Sequence, residues 1–321
     1  MMTKLPYNLD DFGVTSRRIT TNGIELNVFE AGEGPLIILL HGFPESWSVW
    51  GPQVPMLLNK GYKVAMPEQR GYGESDAPSD KSSYNTIELA ADVAGLIEAY
   101  GEEEAIVIGH DWGCIVAWHT AWCHPDKVKA VGGLSVPWFG RGEQPQIDTF
   151  KQQFGDNYFY ILDFQRDETT ALLNEDKYKS INMVFRGDMD ILNQGAEDAN
   201  FFERITLDEA KNDFVSDELV KYMASRYEFN GFEGPLNWYR NFPETFKLTE
   251  GKSDLIQPPA MYLTGSREWT QEYIESIGFD MSTLFADLRI NESTDAGHWL
   301  SQEVPEWVNE QLSKFLDSLE K

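Results

Sequence analysis

The sequence has little cysteine, no long apolar run and far fewer cations than anions. Its longest aliphatic run, Leu36–Leu40, is too short to span a bilayer. The amino terminus carries no apolar segment of the kind that directs secretion. The two cysteines, Cys114 and Cys123, fall too far apart on a predicted helix to form a disulfide. These absences argue against a membrane-spanning or disulfide-stapled protein, and we expect a cytoplasmic protein with reduced thiols.

The balance of charge is strongly acidic. Lysine and arginine number 26 against 53 aspartates and glutamates, which gives a formal net charge of -27. Such a surface repels the phosphates of nucleic acids and of anionic membranes, so we expect neither as a partner. Hydrophobic residues at 41% and charged residues at 25% are ordinary for a globular protein. A chain of 321 residues is long enough for one α/β core with an insertion.

Strand and helix patterns alternate in the first part of the chain. Asn22-Gly23, between two alternating segments, predicts a β-hairpin from Ser16 to Val28. The patterns that follow are strand at 35–40 and 62–66, helix at 86–100, strand at 105–108, helix at 114–122 and strand at 128–136. This alternation predicts an α/β protein with a mostly parallel, doubly wound sheet. Ligands of such sheets bind at the carboxyl ends of the strands.

The alternation stops at Pro137. Residues 138–248 are aromatic, acidic and helical in pattern, most clearly at 170–185 and 217–229. Strand character returns at 259–264 and 284–290, and an amphipathic helix covers 305–319. We therefore predict a core domain formed by 1–137 and 249–321, with 138–248 inserted as a helical cap or lid domain.

One pentapeptide, Gly109-His110-Asp111-Trp112-Gly113, follows an apolar run and precedes a helical stretch. A strand that turns sharply into a helix leaves no room for a Cβ beside the central residue, which suits the two glycines. This is the layout of a nucleophile elbow, with aspartate where many hydrolases place serine. A carboxylate is ionised at neutral pH and attacks saturated, electrophilic carbon. The pattern predicts that Asp111 is a nucleophile; the alternative is an aspartate that caps the helix.

A covalent ester on Asp111 requires a general base that activates water. His298 follows the last predicted strand, at the edge of the sheet where ligands bind, and is the predicted base. The other histidines have plainer structural explanations, two in turns and two on or just after the helix of the elbow: His41, His110, His119 and His124.

The base needs an acid to orient it, and the ester needs donors for its oxyanion. Glu268 follows the strand before that of the base, and is the predicted acid; Asp295 is the second choice. The alternative for Glu268 is a surface ion pair with Arg267. The predicted oxyanion donors are the backbone N–H groups of Trp112, after the nucleophile, and of Phe43, in the loop after the first buried strand.

Five segments combine into one recurring pattern. They are His41-Gly42-Phe43-Pro44-Glu45-Ser46-Trp47, Gly71-Tyr72-Gly73-Glu74-Ser75, Gly109-His110-Asp111-Trp112-Gly113, Gly234-Pro235-Leu236-Asn237-Trp238-Tyr239-Arg240-Asn241 and Gly297-His298-Trp299. In these segments, and over nearly its whole length, the sequence resembles the soluble epoxide hydrolases of the α/β-hydrolase fold. In that family two cap tyrosines hydrogen-bond the epoxide oxygen. The resemblance places the second on Tyr239 and the first, which precedes a Phe-Gln pair, on Tyr160, with Tyr158 as a nearby alternative. Many family members carry aspartate where Glu268 stands.

The resemblance implies that Asp111 opens an epoxide while Tyr160 and Tyr239 hold its oxygen. A phenol with a pKa near ~10 donates to an alkoxide yet stays protonated at neutral pH. Water activated by His298 and Glu268 then releases a vicinal diol. The expected partner is a small-molecule epoxide, with no cofactor or metal, and the expected assembly is a monomer or homodimer. The alternatives are a haloalkane or haloacid dehalogenase with the same nucleophile and a non-catalytic ligand-binding protein of the same fold.

Overall fold

The computed structural model describes residues 12–154, 159–188, 202, 205–207 and 214–319. These residues group into two units by their contacts. The first unit contains residues 12–69, Thr86–Gly140 and 253–319, and the second contains Arg70–Asn85 and the described part of Arg141–Lys252. The sequence-based division at 137/138 and 248/249 stays a prediction. The structure in addition groups Arg70–Asn85 with the inserted segment.

An eight-stranded sheet forms the centre of the first unit. Its strands are β1 (Thr15–Thr21), β2 (Ile24–Ala31), β3 (Leu36–Leu40), β4 (Lys63–Pro67), β5 (Ala105–His110), β6 (Val128–Leu134), β9 (Ala260–Gly265) and β10 (Leu288–Thr294). They lie in the order β1-β2-β4-β3-β5-β6-β9-β10. The pairs β1–β2 and β2–β4 are antiparallel, and every pair from β4 to β10 is parallel. The order reverses at β3, so the predicted doubly wound, mostly parallel sheet is confirmed.

Local sequence explains the first strands. Asn22 and Gly23 both have positive φ, at 43° and 76°, as a two-residue hairpin turn requires, and they join β1 to β2. Every residue of β3 is buried, which fits an unbroken apolar run in the middle of a parallel sheet. The last strand departs from the prediction of 284–290, because β10 runs over Leu288–Thr294 and most of its residues are exposed at the sheet edge.

Helices connect these strands. They are α1 (Val54–Asn59), α2 (Thr86–Ala99), α3 (Trp112–Cys123), α11 (Trp269–Ser276), α12 (Leu300–Glu303) and α13 (Pro305–Leu319), with short 3₁₀ helices at Trp47–Trp50 and Met281–Leu284. The amphipathic pattern of α13 buries Val308, Leu312, Phe315 and Leu316, as expected. Within the described part of the chain, no helix is long and apolar enough to cross a membrane. Both cysteines are free thiols.

The second unit is mainly helical. Its helices are α4 (Gln146–Phe154), α5 (Tyr160–Asp163), α6 (Asp167–Glu175), α7 (Lys177–Arg186), α8 (Asp217–Asn230), α9 (Glu233–Arg240) and α10 (Phe242–Leu248), with a 3₁₀ helix at Lys81–Tyr84 and a two-stranded pair, β7 (Gly187–Asp188) and β8 (Thr206–Leu207). The helical pattern over 170–185 is two helices rather than one, because the Asp176 side chain accepts the Lys179 N–H and begins a new helix there.

Candidate active site

The parallel strands bring the predicted site residues to one edge of the sheet. β3, β5, β6, β9 and β10 are successive parallel neighbours, so their carboxyl ends lie side by side. Phe43, Asp111, Glu268 and His298 each follow one of these ends within a few residues. The first unit therefore gathers the predicted nucleophile, base, acid and one oxyanion donor at the position where such sheets bind ligands.

The turn between β5 and α3 has the geometry of a nucleophile elbow. Asp111 lies at φ 50° and ψ -121°, a conformation that a non-glycine residue adopts only under strain. A Cβ on Gly109 would lie 2.0 Å from the Gly113 carbonyl oxygen, and a Cβ on Gly113 would lie 2.1 Å from that of Leu40. Both positions therefore require glycine. The Asp111 side chain makes no capping hydrogen bond to α3, so the helix-cap alternative is wrong.

The two carboxylate oxygens of Asp111 have different partners. Oδ1 accepts the Phe43 N–H at 2.8 Å, and Oδ2 lies 3.5 Å from Nε2 of His298. Burial raises the pKa of Asp111, but the hydrogen bond and charge of His298 lower it by more, so its pKa lies below the ordinary value. Trp112 is the first residue of α3, where backbone N–H groups carry the positive end of the helix dipole. Asp111 is thus an ionised carboxylate that accepts the Phe43 N–H and lies at the amino-terminal end of α3.

Glu268 is the acid that contacts His298. It is 1% exposed, and its Oε2 lies 2.6 Å from Nδ1 of His298. The alternative surface pair of Glu268 with Arg267 does not form, because Arg267 pairs with Asp295, whose side chain is 87% exposed. Asp295, the second choice for the acid, therefore belongs to a surface ion pair. The longer side chain of glutamate reaches the histidine without difficulty.

His298 lies between two carboxylates. Burial lowers its pKa, but the charges and hydrogen bonds of Glu268 and Asp111 raise it well above the ordinary value. Both ring nitrogens face acceptors, which is the arrangement of an imidazolium. Any reaction that neutralises Asp111 removes one of the two carboxylates that raise this pKa, and so frees His298 to act as a base.

A second buried ion pair, which the sequence reasoning missed, supports this arrangement. Nδ1 of His110 lies 2.9 Å from Oε1 of Glu45, both side chains being fully buried, and Nε2 of His110 donates to the His298 carbonyl oxygen at 2.8 Å. Burial lowers the pKa of His110, but Glu45 raises it above the ordinary value. Oε2 of Glu45 accepts the Gly42 N–H at 2.5 Å, and Ser135 Oγ also donates to the His298 carbonyl, at 2.6 Å.

The pair of His110 and Glu45 therefore links the loop that contains Phe43 to the loop that contains His298, behind the nucleophile. A signal for it was present in the sequence: Glu45 is an acid inside a segment of otherwise apolar and turn residues, next to a buried strand. A carboxylate in such a place requires a buried partner.

The two predicted cap tyrosines lie in the second unit. Tyr160 begins α5 and is half-buried, and Tyr239 on α9 is 3% exposed. The ring of Phe164 packs edge-to-face against both, with centroid distances of 5.5 Å to Tyr160 and 5.0 Å to Tyr239. One aromatic residue thus holds the two phenols in a common cluster. Tyr158, the alternative for the first tyrosine, lies outside the described residues.

The position of α9 explains its specific sequence. A Cβ on Gly234 would lie 2.8 Å from Cα of Gly71, so the two backbones touch where only glycine fits. The Trp238 indole donates to the Arg70 carbonyl at 3.2 Å, and the Asn241 amide donates to the Lys81 carbonyl at 2.7 Å. These contacts fix the helix that carries Tyr239 against Arg70–Asn85.

Across the described ranges, no three His, Cys, Asp or Glu side chains are grouped to hold a metal ion.

Comparison with known proteins agrees with this geometry. A family model described as alpha/beta hydrolase fold matches residues 35–301. The chain is 36% identical to Epoxide hydrolase A of Mycobacterium tuberculosis, over 95% of this chain and 98% of that protein. It is 32% identical to Epoxide hydrolase 3 of Siraitia grosvenorii, over 93% and 97%.

Among solved structures, Epoxide Hydrolase A from Mycobacterium thermoresistibile is 37% identical and superposes with a TM-score of 0.86 over 95% of this chain and 98% of that one. An epoxide hydrolase from an endophytic Streptomyces is 30% identical, with a TM-score of 0.90 over 96% of each chain. The fold and the elbow define an α/β-hydrolase. Within that class, the chain belongs to the epoxide hydrolase family.

Proposed function

We propose that the chain hydrolyses epoxides to vicinal diols through a covalent ester on Asp111. The observation that carries this proposal is the Asp111 carboxylate, which has one oxygen on an amide donor and the other facing a histidine–glutamate pair. The relatives named above are epoxide hydrolases, which favours this reaction over dehalogenation or non-catalytic binding.

The first step forms the ester. Oδ2 of Asp111 attacks an epoxide carbon, and the bond from that carbon to the ring oxygen breaks. The alkoxide stays attached to the adjacent carbon, where the phenols of Tyr160 and Tyr239 hydrogen-bond it and one of them gives it a proton. Oδ1 stays on the Phe43 N–H and becomes the carbonyl oxygen of the ester. No cofactor or metal takes part in this displacement.

The second step hydrolyses the ester and regenerates the free enzyme. The imidazolium of His298 first gives up its Nε2 proton, by way of solvent, to the phenolate left by the first step. Nε2 then takes a proton from water, and the hydroxide adds to the ester carbonyl carbon. The oxyanion on Oδ1 is held by the N–H groups of Phe43 and Trp112. The bond from carbon to Oδ2 then breaks, the diol leaves with the proton from His298, and the new carboxyl group of Asp111 returns its proton to His298. Glu268 holds the histidine in the tautomer that exposes Nε2 to water.

The proposal also assigns a role to each of the two parts of the chain. Residues 1–137 and 249–321 form the core domain with the ester-forming and hydrolysing groups, and 138–248 form the cap with the two tyrosines. The substrate is a small-molecule epoxide, with neither nucleic acid nor membrane as a partner, which the net charge of -27 supports. We place a monomer or homodimer in the cytoplasm, where two free thiols stay reduced.

The test traps the ester. His298→Gln protein is mixed with styrene oxide or with a 1-haloalkane. The masses of the intact protein and of its proteolytic peptides are measured, and diol and halide are assayed. We expect a mass gain of one epoxide on the peptide that contains Asp111, and no gain in the Asp111→Asn, His298→Gln double variant. Halide release, or no adduct from styrene oxide, would contradict the proposal.

The tyrosines are tested in the same trapped background. Tyr239→Phe removes the proton donor to the alkoxide, and we expect adduct formation from styrene oxide to slow by about tenfold or more. Tyr178→Phe is the control, because Tyr178 is an exposed cap tyrosine that bonds to Asp217. Equal rates in the Tyr239→Phe and Tyr178→Phe proteins would remove Tyr239 from the mechanism.

A further inference from the structure

Another carboxylate, Glu303, lies against the loop that carries His298. Its Oε2 accepts the Gly297 N–H at 2.8 Å and its Oε1 accepts the Trp299 N–H at 2.9 Å. These two donors flank His298 in the sequence. One carboxylate therefore holds the backbone on both sides of the histidine, through hydrogen bonds that its charge strengthens.

The loop is shaped around this carboxylate. A Cβ on Gly297 would lie 3.0 Å from Oε1 and 3.3 Å from Oε2 of Glu303, so glycine leaves the space that the carboxylate fills. The Glu303 side chain is 14% exposed, and Oε2 lies 3.7 Å from the Arg267 guanidinium. Glu303 ends α12, and its own N–H donates to the Trp299 carbonyl at 2.8 Å. The helix α12, the loop around His298 and the Glu303 side chain are thus all connected by hydrogen bonds.

We propose that Glu303 is a positioning residue for His298, and that it serves hydrolysis of the ester rather than its formation. The histidine must aim Nε2 at a water beside the ester, and catalytic geometry of this kind tolerates errors of only about 0.5 Å. Ester formation instead depends on Asp111 and the Phe43 N–H, which bond to each other directly. A change at Glu303 therefore acts on the second step.

The inference rests on the two-step reaction proposed above. Glu303→Gln keeps the size of the side chain, but it removes the charge and turns an NH₂ group towards one of the two N–H donors. The loop then loses one hydrogen bond and gains a repulsion. Because this displaces the ring of His298, the ester hydrolyses more slowly and accumulates.

The experiment follows the ester directly. Wild-type and Glu303→Gln proteins are mixed with excess styrene oxide, quenched at intervals, and the fraction of esterified protein is read by intact mass. We expect ester formation within about twofold of wild type and ester decay slowed by about tenfold or more. Glu306→Gln is the matched control, since Glu306 is an exposed acid in the first turn of α13, and both of its rates should equal those of wild type.

Two further variants keep the proposal testable should Glu303→Gln fold poorly. Glu303→Asp shortens the carboxylate, and Gly297→Ala crowds it with a new Cβ. Each should slow ester decay more than ester formation while the thermal midpoint stays near that of wild type. Decay at the wild-type rate, or equal slowing of both steps, would overturn the role of Glu303. If the wild-type protein forms no ester at all, the proposed function itself fails, which is a distinct result.

Discussion

At the scale of single residues, the proposed reaction depends on pairs of opposite charge that are buried together. Asp111, His298 and Glu268 form one row, and His110 with Glu45 forms a second row behind it. The first row was predictable, since each member follows a strand end in the order nucleophile, acid, histidine. The second row was predictable only in part: Glu45 in a largely apolar segment indicates a buried partner, but nothing in the sequence identifies that partner as His110, which is 65 residues away along the chain.

The buried pair of His110 and Glu45 should be important for stability. Glu45→Gln leaves the imidazolium of His110 without its counter-charge, and we expect the free energy of unfolding to fall by about 3–5 kcal/mol. Urea denaturation measures this change. Glu98→Gln, which breaks a surface pair with Lys127, is the control and should have no measurable effect. A Glu45→Gln protein as stable as wild type would show that His110 is not charged in the folded state.

At the scale of elements, strand ends and tight turns were more predictable than helix limits. Gly109 and Gly113 predict a turn with no room for side chains, and the structure has that turn. The helical pattern over 170–185 does not reveal that Asp176 divides it, because the capping role of Asp176 depends on its hydrogen bond with the Lys179 N–H, which only the structure shows. β10 was displaced by four residues, since an edge strand with exposed polar residues carries little hydrophobic signal.

The elbow predicts the effect of a single methyl group. In Gly109→Ala the new Cβ would lie 2.0 Å from the Gly113 carbonyl oxygen, and backbone cannot move aside as a side chain does. We expect the turn to open and move Asp111 off the Phe43 N–H, which lowers kcat by about hundredfold.

Diol formation by the variant is measured, and its circular dichroism spectrum shows whether the protein is folded. Gly251→Ala is the control, because a Cβ there meets nothing within 4 Å; its positive φ of 78° costs stability but leaves kcat unchanged. Unchanged kcat in a folded Gly109→Ala protein would contradict the strained turn.

At the scale of the whole molecule, the architecture was predictable from the alternation of strand and helix patterns along the sequence. The way in which separate segments of the chain group into two units was not. The sheet, its hairpin and the inserted helical region were all expected. The grouping of Arg70–Asn85 with the inserted segment was not, because it depends on contacts such as Gly71 with Gly234 that join distant parts of the chain. A one-dimensional pattern carries no information on such a contact.

One buried histidine should make the whole fold sensitive to acid. His119 packs against the rings of Trp122 and Trp138, and burial lowers its pKa to about 4. Between the ordinary value of 6.5 and about 4, the unfolded chain binds a proton that the folded chain does not. Stability therefore falls as the pH falls through this range, by roughly 3 kcal/mol when the titration is complete.

His119→Leu tests this account of acid sensitivity. The variant should lose that part of the pH dependence in urea unfolding measured from pH 9 to pH 4, because leucine binds no proton in either state. Above pH 7 its pH dependence should match that of wild type. Identical slopes in the two proteins below pH 6.5 would contradict the role of His119.

The covalent ester is the central claim, and oxygen labelling tests it most directly. In a single turnover with enzyme in excess over styrene oxide in ¹⁸O-water, Oδ2 of Asp111 leaves with the diol and the water oxygen stays on the carboxylate. We predict an unlabelled diol and one ¹⁸O atom in the peptide that contains Asp111. A diol that carries ¹⁸O from the first turnover, with Asp111 unlabelled, would show that water attacks the epoxide directly and would contradict the account.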